Sequence, residues 1–160
     1  MPPSPLTVTT RYTPTGTRKY YWITTASSYL TPTRAELNAG TDLTAEIAEV
    51  SGFTLSADTA DTPDLSSGFV SSVPARIKAE DSEIVFWASS TAADARTVFP
   101  RGTAGYIILL PEGDVAGQKM EVWPAKVSSM YIDQNMEDPG RIHVQFSVTK
   151  VPAQNVTIPA

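Results

Sequence analysis

Few residues in this sequence could carry out covalent chemistry. The chain has no cysteine and a single histidine, His143, so disulfides, thiolate metal sites and a cysteine nucleophile are excluded. His143 lies in an alternating segment between Ile142 and Val144, where a surface or interface histidine is the simpler interpretation. Serines are abundant, but no G-x-S-x-G segment is present to hold a serine nucleophile on a sharp turn.

Metal and phosphate sites find equally little support. Asp58, Asp61 and Asp64 are spaced in a way that superficially resembles a calcium loop. The D-x-[DN]-x-[DN]-G pattern and its closing glutamate are missing, however, and Pro63 opposes wrapping of the chain around an ion. The glycines of residues 101–105 lead into a strand rather than a helix, unlike those of a phosphate-binding loop. We therefore expect no metal and no cofactor.

Two weaker chemical signals remain. Glu80, Asp81 and Glu83 could pair as the carboxylates of a glycoside hydrolase, but they lie at a predicted hairpin tip, which is a wet place for a general acid. The aromatic residues 20–22 could form a sugar-stacking platform. Adjacent strand residues point to opposite faces, so core and interface positions are the simpler interpretation. The sequence predicts a protein that is not an enzyme.

The elements that would position these residues are mostly strands. Threonine is the commonest residue, with 20 copies, and its branched side chain favours a pleated strand. Strands are predicted over residues 18–26, 48–56, 68–79, 83–88, 105–110, 119–127 and 141–150. Capping signals predict short helices over 31–39 and 91–98. We expect a single, mainly β domain over residues 1–160, with one or two short flanking α-helices.

Three segments have little to bury and are predicted to lie outside the core. They are an N-terminal arm over residues 1–17, a long polar loop over 57–68 and a C-terminal arm over 151–160. The four-residue link 79–82 predicts a hairpin between the strands that flank it. Pro124 predicts an edge or a bulge within its strand, because proline cannot donate to the ladder.

The segment 141–150 alternates most clearly. Apolar residues at its even positions face one way, and the other face carries His143, Gln145, Ser147 and Thr149. A strand that is polar along one whole face needs that face to contact water. We therefore expect these four side chains to line a wet surface.

The charge of the chain is negative and unevenly placed. The net charge is −5, which argues against a protein that grips nucleic acid through its phosphates. Seven acids and no base lie between Arg34 and Arg76. The simple interpretation is a solvated acidic surface, and the functional one is a surface that repels a polyanion or meets a basic partner.

We expect neither a leader peptide nor a membrane partner. The first ten residues have no basic stretch followed by an apolar core. The longest apolar run, over residues 106–110, has the length of a strand that is buried on both faces or lies centrally in a sheet. It is far too short to span a bilayer.

Several segments together resemble a known family. They are KYYWI at 19–23, PTRAELNAGTDLT at 32–44, EVSGF at 49–53, RTVFPRGTAGY at 96–106, GDVAGQKM at 113–120 and FSVT at 146–149. In order and extent, over residues 7–153, they resemble the major tail tube proteins of siphovirus-type phages of actinobacteria. The resemblance implies a β-sandwich with a flanking helix, made in the host bacterial cytoplasm and built into the virion.

The resemblance also implies how such a subunit would act. Copies would close into hexameric rings whose inner strands form a barrel, and stacked rings would pass double-stranded DNA without binding it specifically. Expected partners are further copies of the chain and the tape measure, tail terminator and distal tail proteins. The polar residues of segment 141–150 become lumen candidates. Because the arms and the long loop have nothing to bury, the candidates for stacking between rings are Thr10, Arg11, Asp58, Asp61, Asp64 and Val151.

Two other functions stay open at this point. A tail terminator or head–tail connector would form rings that cap a tube rather than extend it. A carbohydrate-binding or adhesion β-sandwich would use the aromatic residues 20–22.

Overall fold

A computed structural model describes residues 4, 6–91, 94–133 and 135–160. These residues form ten strands: β1 Lys19–Ile23, β2 Thr41–Asp42, β3 Ile47–Ser51, β4 Leu55–Thr62, β5 Ser71–Ala79, β6 Ser82–Trp87, β7 Ala104–Leu110, β8 Lys119–Ile132, β9 Arg141–Val148 and β10 Ala153–Thr157. Two short helices, α1 Arg34–Asn38 and α2 Ala95–Val98, and a 3-10 turn, Thr44–Glu46, complete the described elements. The mainly β fold class predicted from the sequence is confirmed.

Eight of the ten described strands form one antiparallel sheet, and the other two, β4 and β5, form a separate hairpin. The main sheet runs β2-β1-β7-β8-β9-β6-β3, and β10 pairs with β8 beside this path. Strand β8 is long enough to pair with β10 at Val122 and with β9 from Ala125 onward. It therefore belongs to both halves of a sheet that folds over on itself as a sandwich.

Pro124 lies inside β8, and the prediction of an edge strand is wrong. It pairs with Tyr106 of β7, while its carbonyl accepts a hydrogen bond from the Thr149 amide on the opposite side. The nitrogen and the carbonyl of one strand residue point to the same side of the strand. The missing N–H of Pro124 thus falls where the chain passes from β9 to β10, so little of the ladder is lost.

The main core lies between the two halves of the folded sheet. Trp22, Trp123 and Phe99 are at most 2% exposed. The ring centroids of Trp22 and Phe99 are 5.1 Å apart, and those of Phe99 and Phe146 are 5.4 Å apart, both edge to face. This arrangement is favourable for aromatic pairs beyond the area they bury.

A second core covers the other face of β1 and β7. Tyr21 and Ile108 pack there under Leu37 of α1 and Ile158 of the C-terminal tail, whereas Trp22 and Ile107 point into the main core. Strand β7 is therefore buried on both faces, as its continuous apolar run predicted.

The helices begin where short polar side chains cap them. Thr33 and Glu36 form a capping box at the start of α1. Helix α2 is capped by Asp94, whose carboxylate accepts from the Arg96 amide. The sequence had placed that cap at Thr91, and part of the predicted turn, residues 92 and 93, lies outside the described residues.

The first half of the predicted loop over 57–68 is a strand. Residues Leu55–Thr62 pair with Ser71–Ala79 as a separate two-stranded sheet, which leaves a turn over 63–70. The strand predicted over 48–56 is divided, because Gly52 and Phe53 adopt positive φ angles of 76° and 52°. These two residues turn the chain out of the main sheet and into the hairpin.

The hairpin predicted across the link 79–82 is also wrong. Strand β5 pairs with β4, while β6 enters the main sheet between β3 and β9. The short link therefore joins two sheets rather than two paired strands.

The two chain ends behave differently. The C-terminal segment is not a free arm, because β10 pairs with β8 and Ile158 is only 1% exposed. Residues 6–13 contain no helix or strand, and Leu6 and Val8 are 95% and 89% exposed. Residues 1–3 and 5 of the predicted N-terminal arm lie outside the described residues. A search of the described helices found none with the length and apolar character of a membrane span.

Candidate assembly surfaces

The β4–β5 hairpin, residues 55–79, is the most unusual surface of the molecule. Every residue from 57 to 78 is exposed. Five large apolar side chains stand uncovered on it: Leu65, Phe69, Val70, Val73 and Ile77. Val73 and Ile77 pair with Ala60 and Ala57, and such small partners leave them uncovered. Several large apolar side chains exposed on one short element mark a candidate interaction site.

The acids predicted to act in stacking all lie on this hairpin. Asp58 occupies the point where the register shifts, and Asp61 pairs with Ser72. Asp64 begins the turn, where hydrogen bonds from the Ser66 hydroxyl and amide hold its pKa below the ordinary value. The Asp64 carboxylate therefore stays charged beside the apolar side chains.

A second surface is the polar face of the half-sheet β8-β9-β6-β3, which we define by Glu49, Glu83, Lys126, Ser129, Tyr131, Arg141, His143, Gln145 and Ser147. Alternation on β9 buries Ile142, Val144 and Phe146 and turns the intervening residues to this face. Three of the four predicted lumen residues lie on β9, whereas Thr149 follows its end and donates its amide hydrogen to Pro124.

Hydrogen bonds tie the centre of the polar face together. The Nδ1 atom of His143 lies 2.7 Å from Oε1 of Glu83, and Nε2 of Gln145 donates to the other oxygen at 3.2 Å. The Tyr131 ring stacks on the imidazole with centroids 4.6 Å apart. Tyr131 was missed as a site residue, and Glu83 was considered only as a catalytic carboxylate, because cross-strand register is what brings both to His143.

The polar face carries both signs of charge. Glu49 and Glu83 share it with Lys126 and Arg141, and the Arg141 guanidinium lies 5.3 Å from the centre of the Trp87 ring. The acidic excess of the chain is thus not concentrated on this face.

Neither surface has the geometry of a catalytic centre. The hydroxyl of Ser129 donates to Gln145 rather than to His143. Within residues 4, 6–91, 94–133 and 135–160, no three His, Asp or Glu side chains are grouped to hold a metal ion. Tyr21 and Trp22 are 9% and 2% exposed, so they cannot form the sugar-stacking platform considered from the sequence.

A partly buried ionic contact fixes α1 against the sheet. Arg34 binds both carboxylate oxygens of Asp114, and the Tyr21 hydroxyl donates to Oδ2 of Asp114 at 3.0 Å. Burial, reinforced by the Asp114 carboxylate, raises the pKa of Tyr21 to about 12. The Arg34 hydrogen bonds in turn hold the pKa of Asp114 below its ordinary value.

The remaining stacking candidates are dispersed. Thr10 and Arg11 are exposed in the N-terminal segment. Val151 is 73% exposed between β9 and β10 and lines a cavity of about 530 Å³ together with Leu55 and Ile77 at the base of the hairpin. The fold therefore places Val151 beside the hairpin, and in the described residues it does not contact Thr10 or Arg11.

Comparison with known families gives a match over nearly the whole chain. A family model described as phage tail tube protein matches residues 6–160, a range that includes the hairpin, the polar face and most of the N-terminal segment. A search of curated proteins gave no match. Because the family match covers nearly the whole chain, the protein belongs to the phage tail tube protein family and is a structural component of the virion.

Proposed function

We propose that this subunit closes into hexameric rings, and that stacked rings form the tube through which the phage genome passes into the host. Self-assembly into a tube with other tail proteins follows from the family. The proposal adds the hexameric ring, the passage of DNA and the contacts between rings.

The main sheet has two ends that suit a ring. Among the described strands, β3 pairs with β6 alone, and the two-residue strand β2 ends the sheet at the other side. The sequence of β3, Ile47–Ser51, has no proline or lysine to block pairing. Edge-to-edge contact between unlike ends is head to tail, and such a contact closes into a ring when the rotation per subunit allows.

The polar face suits the inner wall of that ring. Its side chains need water, and a lumen would supply it along the whole of β9. Lys126 and Arg141 share the face with Glu49 and Glu83. Because DNA binding depends on clustered, uncompensated bases, a wall with this balance lets the polyanion pass without holding it.

The exposed hairpin is the single observation that carries the proposal. An isolated two-stranded hairpin is at best marginally stable in water, yet this one exposes every residue from 57 to 78. Its apolar side chains would be covered by a subunit of the next ring. Charge repulsion or attraction at Asp58, Asp61 and Asp64 would then determine where on that subunit the hairpin binds. The cavity beside Val151 would accommodate movement at the base of the hairpin.

The tape measure, tail terminator and distal tail proteins are proposed partners at the lumen and at the two ends of the tube. The two ends of a ring stack present different surfaces, since every subunit would extend its hairpin towards the same end of the tube. Different end proteins are therefore expected.

Electron microscopy of the purified protein tests the proposal. Wild-type protein should form tubes with six subunits per ring in cross-section. A variant in which residues 58–76 are replaced by Asn-Gly keeps the Ala57 and Ile77 pair and closes it with a two-residue turn. This variant should fold and remain as subunits or single rings, and normal tubes from it would overturn the role of the hairpin.

A further inference from the structure

A pocket of about 350 Å³ opens between α2 and the 3-10 turn. We call it the α2 pocket. Its floor is apolar and is formed by Leu43, Phe86 and Phe99, while Val98 and Thr97 of α2 form one wall. No side chain of the described residues fills the space. The three floor residues are at most 5% exposed and Val98 is half-buried, so an occupant would contact apolar side chains at the bottom of the pocket.

The rim of the α2 pocket is acidic. Asp94 is engaged by Arg96 and by the Ser89 amide, and Asp42 is held by Lys19 and the Thr44 amide. The carboxylate of Glu46 is exposed and has no hydrogen bond or ion pair to the described residues. The pocket therefore favours an apolar ligand that brings one positive charge.

The N-terminal segment of the chain has this chemistry. Leu6 and Val8 are almost fully exposed, and Arg11 follows three residues later. The first acid of the chain is Glu36, so the segment brings no negative charge to the rim. The hairpin turn is a poorer candidate, because Asp64 would approach Glu46.

The direction of the segment favours a pocket on another copy. It leaves the sheet at Lys19 of β1, and the Tyr12 hydroxyl donates to Glu112 beyond the end of β7. Strand β7 lies on the opposite side of β1 from β2 and the pocket rim. The segment thus leads away from the α2 pocket of its own chain.

We propose that the α2 pocket receives Leu6 and Val8 from the N-terminal segment of a second copy, with Arg11 placed beside Glu46. The contact rests on the proposed tube and adds to the hairpin a second joint between subunits. Two aliphatic side chains leaving water would strengthen assembly at least tenfold.

Disulfide trapping in assembled tubes tests the contact, since the chain has no cysteine of its own. Val8→Cys combined with Thr97→Cys should give a ladder of disulfide-linked subunits after mild oxidation. Each single variant is the control and should give dimers at most. A disulfide within one chain, or intact tubes without a ladder, would overturn the proposal. The pair Ser66→Cys and Thr97→Cys would form the ladder instead if the hairpin turn were the occupant.

A charge exchange gives a second, independent test. Arg11→Glu and Glu46→Arg should each raise the concentration needed for tube assembly, and the double exchange should restore most of the loss. Glu137→Arg, an exposed change elsewhere, should have no effect. Equal loss in the double exchange would refute the pairing. If the wild-type chain formed no tubes, the proposed function itself would fail, which separates the two outcomes.

Discussion

The exposed apolar side chains of the hairpin make a quantitative prediction about assembly. We consider the double change Phe69→Ser and Ile77→Ser on the β4–β5 hairpin. The two side chains are 75% and 64% exposed in the subunit. Complete burial of such a side chain contributes about 1.5–3 kcal/mol. Scaled by the exposed fraction, the pair would contribute roughly 3 kcal/mol to each contact between subunits.

That contribution sets the size of the expected effect. A loss of roughly 3 kcal/mol raises the critical concentration for tube formation by about a hundredfold. The folded subunit loses little, because exposed positions usually change the free energy of unfolding by no more than about 0.5 kcal/mol. The variant should therefore be as stable as the wild type and deficient in assembly only.

Sedimentation over a concentration series, followed by electron microscopy, measures the critical concentration, and urea unfolding measures the stability. Val115→Ser is the matched control, because Val115 is 54% exposed but lies in the loop after β7. It should assemble as the wild type does. An unchanged critical concentration for the hairpin variant would refute the reasoning, and a large loss of stability would mean that these side chains support the fold instead.

Three further changes test other parts of the structure. Gly52→Ala should destabilise the subunit by about 2–4 kcal/mol, because a Cβ atom at φ +76° would lie 2.2 Å from the Asp81 carbonyl oxygen. Gly68→Ala is the control in urea unfolding, because a Cβ atom there would meet no described neighbour within 4 Å. Hydrogen bonds from the Thr33 and Ser27 amides lower the pKa of Glu36 to about 2, so its stabilising effect is present above its ordinary pKa and is lost as the pH falls towards 2. Glu36→Gln should flatten that part of the acid unfolding profile, and a profile identical to that of the wild type would contradict the assignment. Ser147→Lys on the polar face should make tubes retain DNA in a salt-dependent manner, while Ala116→Lys in an exposed loop should not. Co-sedimentation measures the retained DNA, and equal retention by both variants would argue against a lumen position for Ser147.

Strands that bury one face were predictable from the sequence. Alternation identified β9, because Ile142, Val144 and Phe146 all enter the core. The continuous apolar run of β7 was predicted to be buried on both faces, and Ile107 and Ile108 do enter different cores. In these segments the hydrophobic pattern and the local structure have the same cause.

Segments whose structure does not depend on burial escaped prediction. From Ala57 onward, strand β4 consists of small and polar residues that are all exposed, so no pattern distinguishes this part from a loop, and only its ladder with β5 defines it. The C-terminal tail resembled an arm because only a few scattered residues, such as Ala153 and Ile158, anchor it in the second core. Glu83 and Tyr131 meet His143 through register between distant strands, and a single sequence does not report register.

The hairpin also differs from the rest of the sheet in the distance along the chain between paired residues. Leu55 pairs with Ala79, whereas Lys19 of β1 must find Leu110 of β7. Local hairpins form in roughly 1–10 μs, and distant strand pairs form much more slowly. A newly made subunit would therefore display its adhesive apolar side chains before its own core has closed. The aspartates and serines interleaved with those side chains act as gatekeepers against premature aggregation during that interval.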